Sequence, residues 1–241
     1  MPKMRQLIRA VIDQLPPRIQ SKLLSLRSRD EPKLGSRTYL HRSVQMLGKA
    51  HIRVGDNSVI SEDGWLNVNH RQGNEYAIEI GSQCFIGRRN VFSSGKKIQI
   101  GDYVLTANDC QFLGSTHIAT DPMQPIITTG TTDNDVIVVG SNSFLGAGVR
   151  VVGNVRIGHG CVIGAGSLVT RDVPPFTQAH GSPAIVFKRY SFPAQRWVSI
   201  DDFSTADELA IPTEESYVTR LSPANLIRMP YIACGSDMGN C

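Results

Sequence analysis

Six His and five Cys are the side chains in this chain best suited to moving protons, attacking or holding a metal. The Cys count is odd and no CxxC pair occurs, which speaks against a disulfide framework and against a structural zinc site. A zinc centre built from His needs a cluster. His41, His51, His70, His117, His159 and His180 are scattered, and Pro122 stands where a close partner of His117 would be useful. No metal site is therefore expected. His41, His51, His70 and His159 read as surface residues, and His180 precedes a Gly181-Ser182-Pro183 turn. His117 differs because it stands just before the longest interruption in an otherwise regular repeat. An imidazole titrates close to neutrality and can take or give a proton wherever it faces a groove.

The repeat is what must position these groups. Residues 54, 60, 66, 80, 86, 92, 100, 106, 112, 139, 145, 151, 157, 163 and 169 recur at a period of six; fourteen of the fifteen are apolar, where 41% composition gives about six. Gly follows in eight of the fifteen, at 55, 81, 87, 101, 140, 146, 158 and 164. Such a period matches neither a helix at 3.6 nor a strand at 2. It suits a short strand with one large inward residue, then a corner where a Cβ would clash. Four residues on, a small inward slot holds Cys84, Val104, Cys110, Thr116, Ser143, Val149, Val155, Cys161 and Ser167. Three of the five Cys thus become packing residues. Cys234 and Cys241 lie in the tail, Cys241 as the last residue.

Three hexads close one triangular coil, and stacked coils form a parallel β-helix that needs few aromatics. The coils read 54–71, 80–97, 100–117, 139–156 and 157–174, with a partial coil near 40–53 at Leu47-Gly48. His117 ends the third at an outward position. Two interruptions break the stack, an insertion at 72–79 and a loop at 118–138, and a loop that long in a compact domain usually carries function.

Composition sets the outer bounds. With 241 residues, 7% aromatic and 19% charged, the chain can bury a core and is neither collagenous nor disordered. No apolar run approaches the roughly 20 residues that span a bilayer, and the basic start lacks the apolar core of a secretory signal, so a soluble, cytoplasmic protein is expected. The net charge of +4 resolves into +5 over residues 1–35, +3 over 36–189 and −4 over 190–241. No basic stripe with interleaved aromatics marks a nucleic-acid binder. Leu7, Ile8, Val11, Ile12, Leu15, Ile19, Leu23, Leu24 and Leu26 give two short amphipathic helices with basic outer faces. They read as a cap on the first coil or as a weak peripheral membrane contact through 1–35. The division expected is 1–38 helical, 39–189 β-helix with loop 118–138, and 190–241 an irregular C-terminal extension with no assigned role.

The stretch VVGSNSFLGAGVRVVGNVRIGHGCVIGAGSLVTRDVPP at 138–175, followed by GSPA, resembles the hexapeptide-repeat acyltransferases. It looks most like the galactoside, maltose and cell-surface polysaccharide O-acetyltransferases. The resemblance covers about 40–190 and implies a mainly β fold, a left-handed parallel β-helix, although crossovers elsewhere are right-handed. It also implies a homotrimer with a site between neighbouring subunits, acetyl-CoA as donor and a saccharide acceptor. Thr116-His117 before the loop matches the family's general base, which takes the proton of the acceptor hydroxyl. Asn90 corresponds, with a one-residue gap, to an Asn that touches the acceptor; an internally bonded Asn is the competing reading. Phe144 stands where relatives carry an aromatic near the thioester, with ordinary corner packing as the alternative. Ala147 and Ala165 match positions whose backbone bonds the pantetheine arm, and the Ala147 amide is the candidate for the oxyanion. Thr170-Arg171 corresponds to a Thr-Lys pair reaching the CoA nucleotide, and Lys188 and Arg189 are further phosphate candidates. His180 either lines the CoA path or is simply exposed. Acylation of an amine, on a nucleotide-sugar or a small molecule such as an antibiotic, and a non-catalytic trimeric scaffold are the alternatives.

Overall fold

The computed structural model describes residues 31–71, 73 and 75–221, together with Pro16 and Ile19. The amphipathic N-terminal helices, the membrane contact expected there, Cys234 and Cys241 lie outside the described residues. Pro32–Cys241 forms one unit and Met1–Glu31 another.

Three parallel sheets make the sides of a triangular prism, the left-handed parallel β-helix. Sheet A stacks Lys33–Leu34, Ile52–Val54, Ile78–Ile80, Lys97–Ile100, Val136–Val139 and Val155–Ile157. Sheet C stacks Gln45–Leu47, Trp65–Val68, Val91–Ser94, Gln111–Leu113, Arg150–Val152 and Leu168–Val169. Between them in chain order, sheet B stacks Tyr39–Leu40, Val59–Ile60, Phe85–Ile86, Leu105–Thr106, Phe144–Leu145, Val162–Ile163 and Thr177–His180. Each pass A to B to C is one coil, and every coil pairs its backbone with the coils above and below.

Every residue of the six-residue register is interior, none more than 2% exposed. Phe92 and Phe112 stack at 4.6 Å between ring centroids on the inner face of sheet C. The small slot also does more than save space at the corner between sheets A and B. There Ser58 donates to Gly81 O at 2.8 Å, Cys84 to Gly101 O at 3.1 Å, Ser143 to Gly158 O at 3.0 Å and Cys161 to Pro174 O at 3.1 Å. Each bond reaches the next coil, so the slot asks for a short donor as well as a small volume. Burial pushes the Cys84, Cys110 and Cys161 thiols up to about 12, 11 and 12. These are packing groups that stay protonated near neutrality.

The structure corrects the register at the ends and interruptions. A full coil precedes residue 52, beginning at Lys33, and in it Met46, not Leu47, pairs with inward Leu66. Leu47 is 46% exposed because Gly48 immediately bends the chain into a short 3-10 turn. The insertion occupies 69–77, since Ile78 and Glu79 already belong to sheet A. Thr116 is exposed instead of filling a slot, because the third hexad of its coil ends at Leu113 and the chain departs at Gly114. The loop ends where the strand resumes at Val136.

The C-terminal extension is described as far as Leu221. Ile185–Ser191 and Arg196–Ser199 add antiparallel strands to sheet B, crossing the boundary expected at 189/190. Two helices follow, α1 (Thr205–Leu209) and α2 (Glu214–Leu221). The reason they dock is written along the A/B edge, where Ser and Asp alternate. Ser36 N donates to Asp56, Asp56 N to Ser82, Ser82 N to Asp102 and Asp102 N to Ser141. The next coil offers His159 at that place, and Glu214 Oε1 accepts the Ser141 amide at 2.6 Å instead. His159 is therefore buried, not a surface residue: its Nε2 meets Pro212 O at 3.0 Å, and its ring packs against Phe176 and Tyr217. Arg189 is spent here as well, paired with Glu208 under the Phe203 ring, so it is closed to a phosphate.

Candidate active site

His117 lies beyond the last strand of its coil, on the edge between sheets C and A. Gly114 leaves the prism, and the loop returns alongside its own start as a short ribbon. Thr132 N donates to Thr116 O at 2.8 Å and Ile118 N donates to Gly130 O at 2.9 Å, so His117 and Thr131 face each other as an antiparallel pair. The flanking residues carry the bonds, which makes this the narrow kind of pair, about 4.5 Å between Cα atoms with both side chains on one face. His117 is exposed, and its imidazole has no hydrogen-bond partner among the described residues. A short 3-10 turn, Ile126–Thr128, shapes the loop tip, where Met123 and Ile127 are 87% and 84% exposed.

Beside the ribbon is an open cavity of about 240 Å³ lined by His70, Glu75, Tyr76, Lys96, Lys97 and Asp133 among others. It is bounded by the insertion on one side and the loop root on the other. Lys97 is neutralised by Glu79 at 2.6 Å. Lys96 and Asp133 have no ion-pair partner among the described residues, so the wall offers both donors and acceptors. His70 is half-buried rather than a free surface residue, and its Nε2 touches the ribbon.

The remaining expected residues fall on other parts of the prism. Ala147 and Ala165 are exposed on the edge between sheets B and C, stacked one coil apart, with Gly166 N donating to Ala147 O at 2.8 Å. Their own amides have no hydrogen-bond partner among the described residues. Nearby Arg89 grips Asp109 at 2.7 and 2.8 Å, which holds the Asp109 carboxyl below its usual range and occupies that guanidinium. Phe144 is 38% exposed on the outer face of sheet B, in a row with Phe85, Leu105 and Val162. Thr170 and Arg171 are exposed on the C/A edge, two coils beyond His117. Lys188 is exposed on the added strand, and His180 is exposed against Phe187.

Asn90 is 0% exposed, its amide nitrogen within 2.6 Å of Gly87 O and 3.0 Å of Ala107 O. The geometry supports the internally bonded reading, with the side chain tying two corners together. Thus His117, Thr170 and Arg171 share one edge, while Ala147 and Ala165 occupy another, across the width of sheet C. Three strand residues alone span roughly 10 Å, so one chain does not bring these groups together. Sequence reasoning missed His70 and the Ser/Asp ladder. The ladder was visible as alternating Ser and Asp after corner glycines, whereas nothing in the sequence pairs His70 with residue 131.

Residues 137–171 match the bacterial transferase hexapeptide family, six repeats. A probable acetyltransferase of Mycobacterium tuberculosis is 30% identical over 161 residues, covering 65% of this chain and 53% of that protein. The chain thus spans about half the length of the mycobacterial relative. A galactoside O-acetyltransferase of Lactococcus lactis is 28% identical over 171 residues, covering 70% of this chain and 74% of the relative. Among solved structures, AntD, an N-acyltransferase from Bacillus cereus in complex with dTDP and 3-hydroxybutyryl-CoA, superposes with a TM-score of 0.56. It is 16% identical, with 69% of this chain and 87% of that one covered, a likeness of fold. Among the described residues no group of three or more His, Cys, Asp or Glu could hold a metal, and no helix is long and apolar enough to cross a membrane.

Proposed function

We propose that the chain is a cytoplasmic, acetyl-CoA-dependent O-acetyltransferase that acetylates a hydroxyl of a saccharide, a cell-surface polysaccharide or its precursor. One observation carries the reading: an exposed His117 imidazole with no hydrogen-bond partner among the described residues, at the root of a long loop whose returning strand borders an open cavity, on a prism of six-residue repeats. The relatives named as acetyltransferases supply the reaction class.

A sugar hydroxyl is a poor nucleophile near neutral pH. His117 removes its proton as the oxygen attacks the thioester carbonyl. The Ala147 amide of a neighbouring copy receives the resulting oxyanion. Collapse breaks the carbon–sulfur bond, and the imidazolium returns the proton to the departing CoA thiolate. Ala165 then holds the pantetheine arm through its backbone, Phe144 walls the thioester, and Thr170, Arg171 and Lys188 serve the nucleotide phosphates, for which a guanidinium is well shaped.

The two edges need a second copy to meet, which supports a homotrimer with each site between neighbours. The apolar row on sheet B and the exposed Met123 and Ile127 at the loop tip fit burial between copies. Sheet A, by contrast, shows water an ionic face in which Glu79 holds Arg53 and Lys97. Sedimentation should therefore give about three times 26.4 kDa.

The test of chemistry is free-thiol release from acetyl-CoA with a panel of saccharide acceptors. A positioned base contributes on the order of 10²–10⁴-fold, so His117→Ala should lose that much in kcat with little change in stability. Turnover that survives the substitution refutes His117 as base.

A further inference from the structure

We propose that His70 is a positioning residue for His117, an inference that rests on the reading of His117 as the base. His70 Nε2 lies 3.1 Å from Thr132 O and 3.2 Å from Thr131 Oγ1. A carbonyl oxygen only accepts, so Nε2 carries the proton, and both contacts draw on that single N–H. Thr132 O also accepts the Ser115 hydroxyl at 2.8 Å, and Thr116 N donates to Thr132 Oγ1 at 3.1 Å. Thr131 and Thr132 are thus fixed from three sides, and Thr131 is the residue directly opposite His117.

Because the His117–Thr131 pair is the narrow kind, the two side chains stand on one face of the ribbon. His70 therefore touches the residue opposite His117, and no hydrogen bond or ring contact joins the two imidazoles among the described residues. Without His70 the returning strand keeps its ribbon bonds, the Ser115 and Thr116 contacts to Thr132, and the Lys96 amide on Asp135 O, but Thr131 loses the side-chain contact that reaches it from the insertion. A base is effective only within hydrogen-bond reach of its proton, and a misplacement near 1 Å can cost about a hundredfold. His70 is the second residue of the insertion and also lines the cavity. This gives the insertion a task, which is to fix the loop root from the side opposite the coil that the loop leaves.

Two substitutions test this. His70→Leu keeps bulk but has no donor, and His70→Gln restores an N–H at similar reach. In the full-length protein His70→Leu should speed hydrogen exchange of the Ile118 and Thr132 amides by at least about fivefold, the worth of one neutral hydrogen bond. With acetyl-CoA and methyl β-galactoside it should lower kcat about tenfold or more while leaving KM for acetyl-CoA unchanged. His70→Gln should recover most of both effects. Unchanged exchange in His70→Leu overturns the proposal, as does faster exchange with full kcat in a protein that His117→Ala inactivates. If His117→Ala stays active, the reading of the base fails separately, and the exchange data still decide whether His70 holds the ribbon.

Discussion

Gly146→Ala tests whether the repeat's corner glycines set the donor edge. Gly146 ends a sheet B strand and lies directly against the next coil: a Cβ there would stand 2.6 Å from Ala165 N, 2.9 Å from Ala165 Cα and 3.1 Å from Gly164 C. Its φ is outside the left-handed region, so alanine is allowed conformationally and the whole effect comes from the contact. All three neighbours are backbone, so no side chain can swing aside. To reach ordinary contact at 3.4 Å, Ala165 N must recede by about 0.8 Å. Overpacking of this kind costs about 1–3 kcal/mol, so at a slope near 2 kcal/mol/M the urea midpoint should fall by about 1 M. The displaced group is the amide proposed to hold the pantetheine arm. Steady-state kinetics should therefore show kcat/KM for acetyl-CoA reduced by up to about a hundredfold, with KM for the saccharide nearly constant. Gly64→Ala is the control, since nothing lies closer than 3.7 Å to its added Cβ. If Gly146→Ala matches Gly64→Ala in both midpoint and acetyl-CoA kinetics, the corner does not govern the donor edge.

Two further predictions concern the C-terminal helices. Glu214→Ala removes a charged acceptor and leaves the buried Ser141 amide unpaired, a loss of about 1.5–3 kcal/mol. It should appear as faster exchange at Ser141 and faster proteolysis of α2, and equal rates in both proteins would remove Glu214 as the clasp. Asp207 accepts hydrogen bonds from Ser191 and from the Ser204 hydroxyl and amide, which hold its carboxyl below the usual value. A lowered carboxyl stabilises the fold above its ordinary value near 3.8, and that contribution fades as pH falls through the lowered one. Trp197 fluorescence in a Trp65→Phe background should report loosening below about pH 4 that Asp207→Asn does not share; superimposable acid profiles would argue against it.

The sequence made the stack legible because each inward position obeys one local rule, a large residue followed by a tight corner. Residues such as Ile137 and Val139 follow it without reference to anything distant. The rule fails wherever contacts depend on segments with no repeat. Thr116 kept the spacing of a slot residue, yet the chain had already left the coil at Gly114. His159 kept the spacing of an outward corner, yet α2 covers it. The extension was opaque because its strands run antiparallel and its docking rests on a few pairs, such as Glu214 with Ser141, separated by 73 residues. For the site, type and position singled out His117, but the partner of its ribbon, His70, lies 61 residues from Thr131 and carries no motif. Asn90 had two open readings, an acceptor contact and an internal bond, and the spacing could not show that its amide nitrogen is engaged by Gly87 O and Ala107 O.

The stacked architecture also turns the long axis into a scale with fixed graduations. His117 leaves after the fourth coil, and Thr170 and Arg171 follow the sixth on the same edge. Neighbouring coils are locked at the spacing of paired strands, about 4.8 Å. The separation between His117 and the Thr170-Arg171 pair cannot be stretched by a fraction of that step, because any lesser change would break the backbone pairing of all three sheets at once. With the roles proposed for these residues, donors with longer or shorter arms would be met only in whole increments, by gain or loss of a complete coil. Fine adjustment is left to the loop and the insertion, the two places where the chain is free of the ladder.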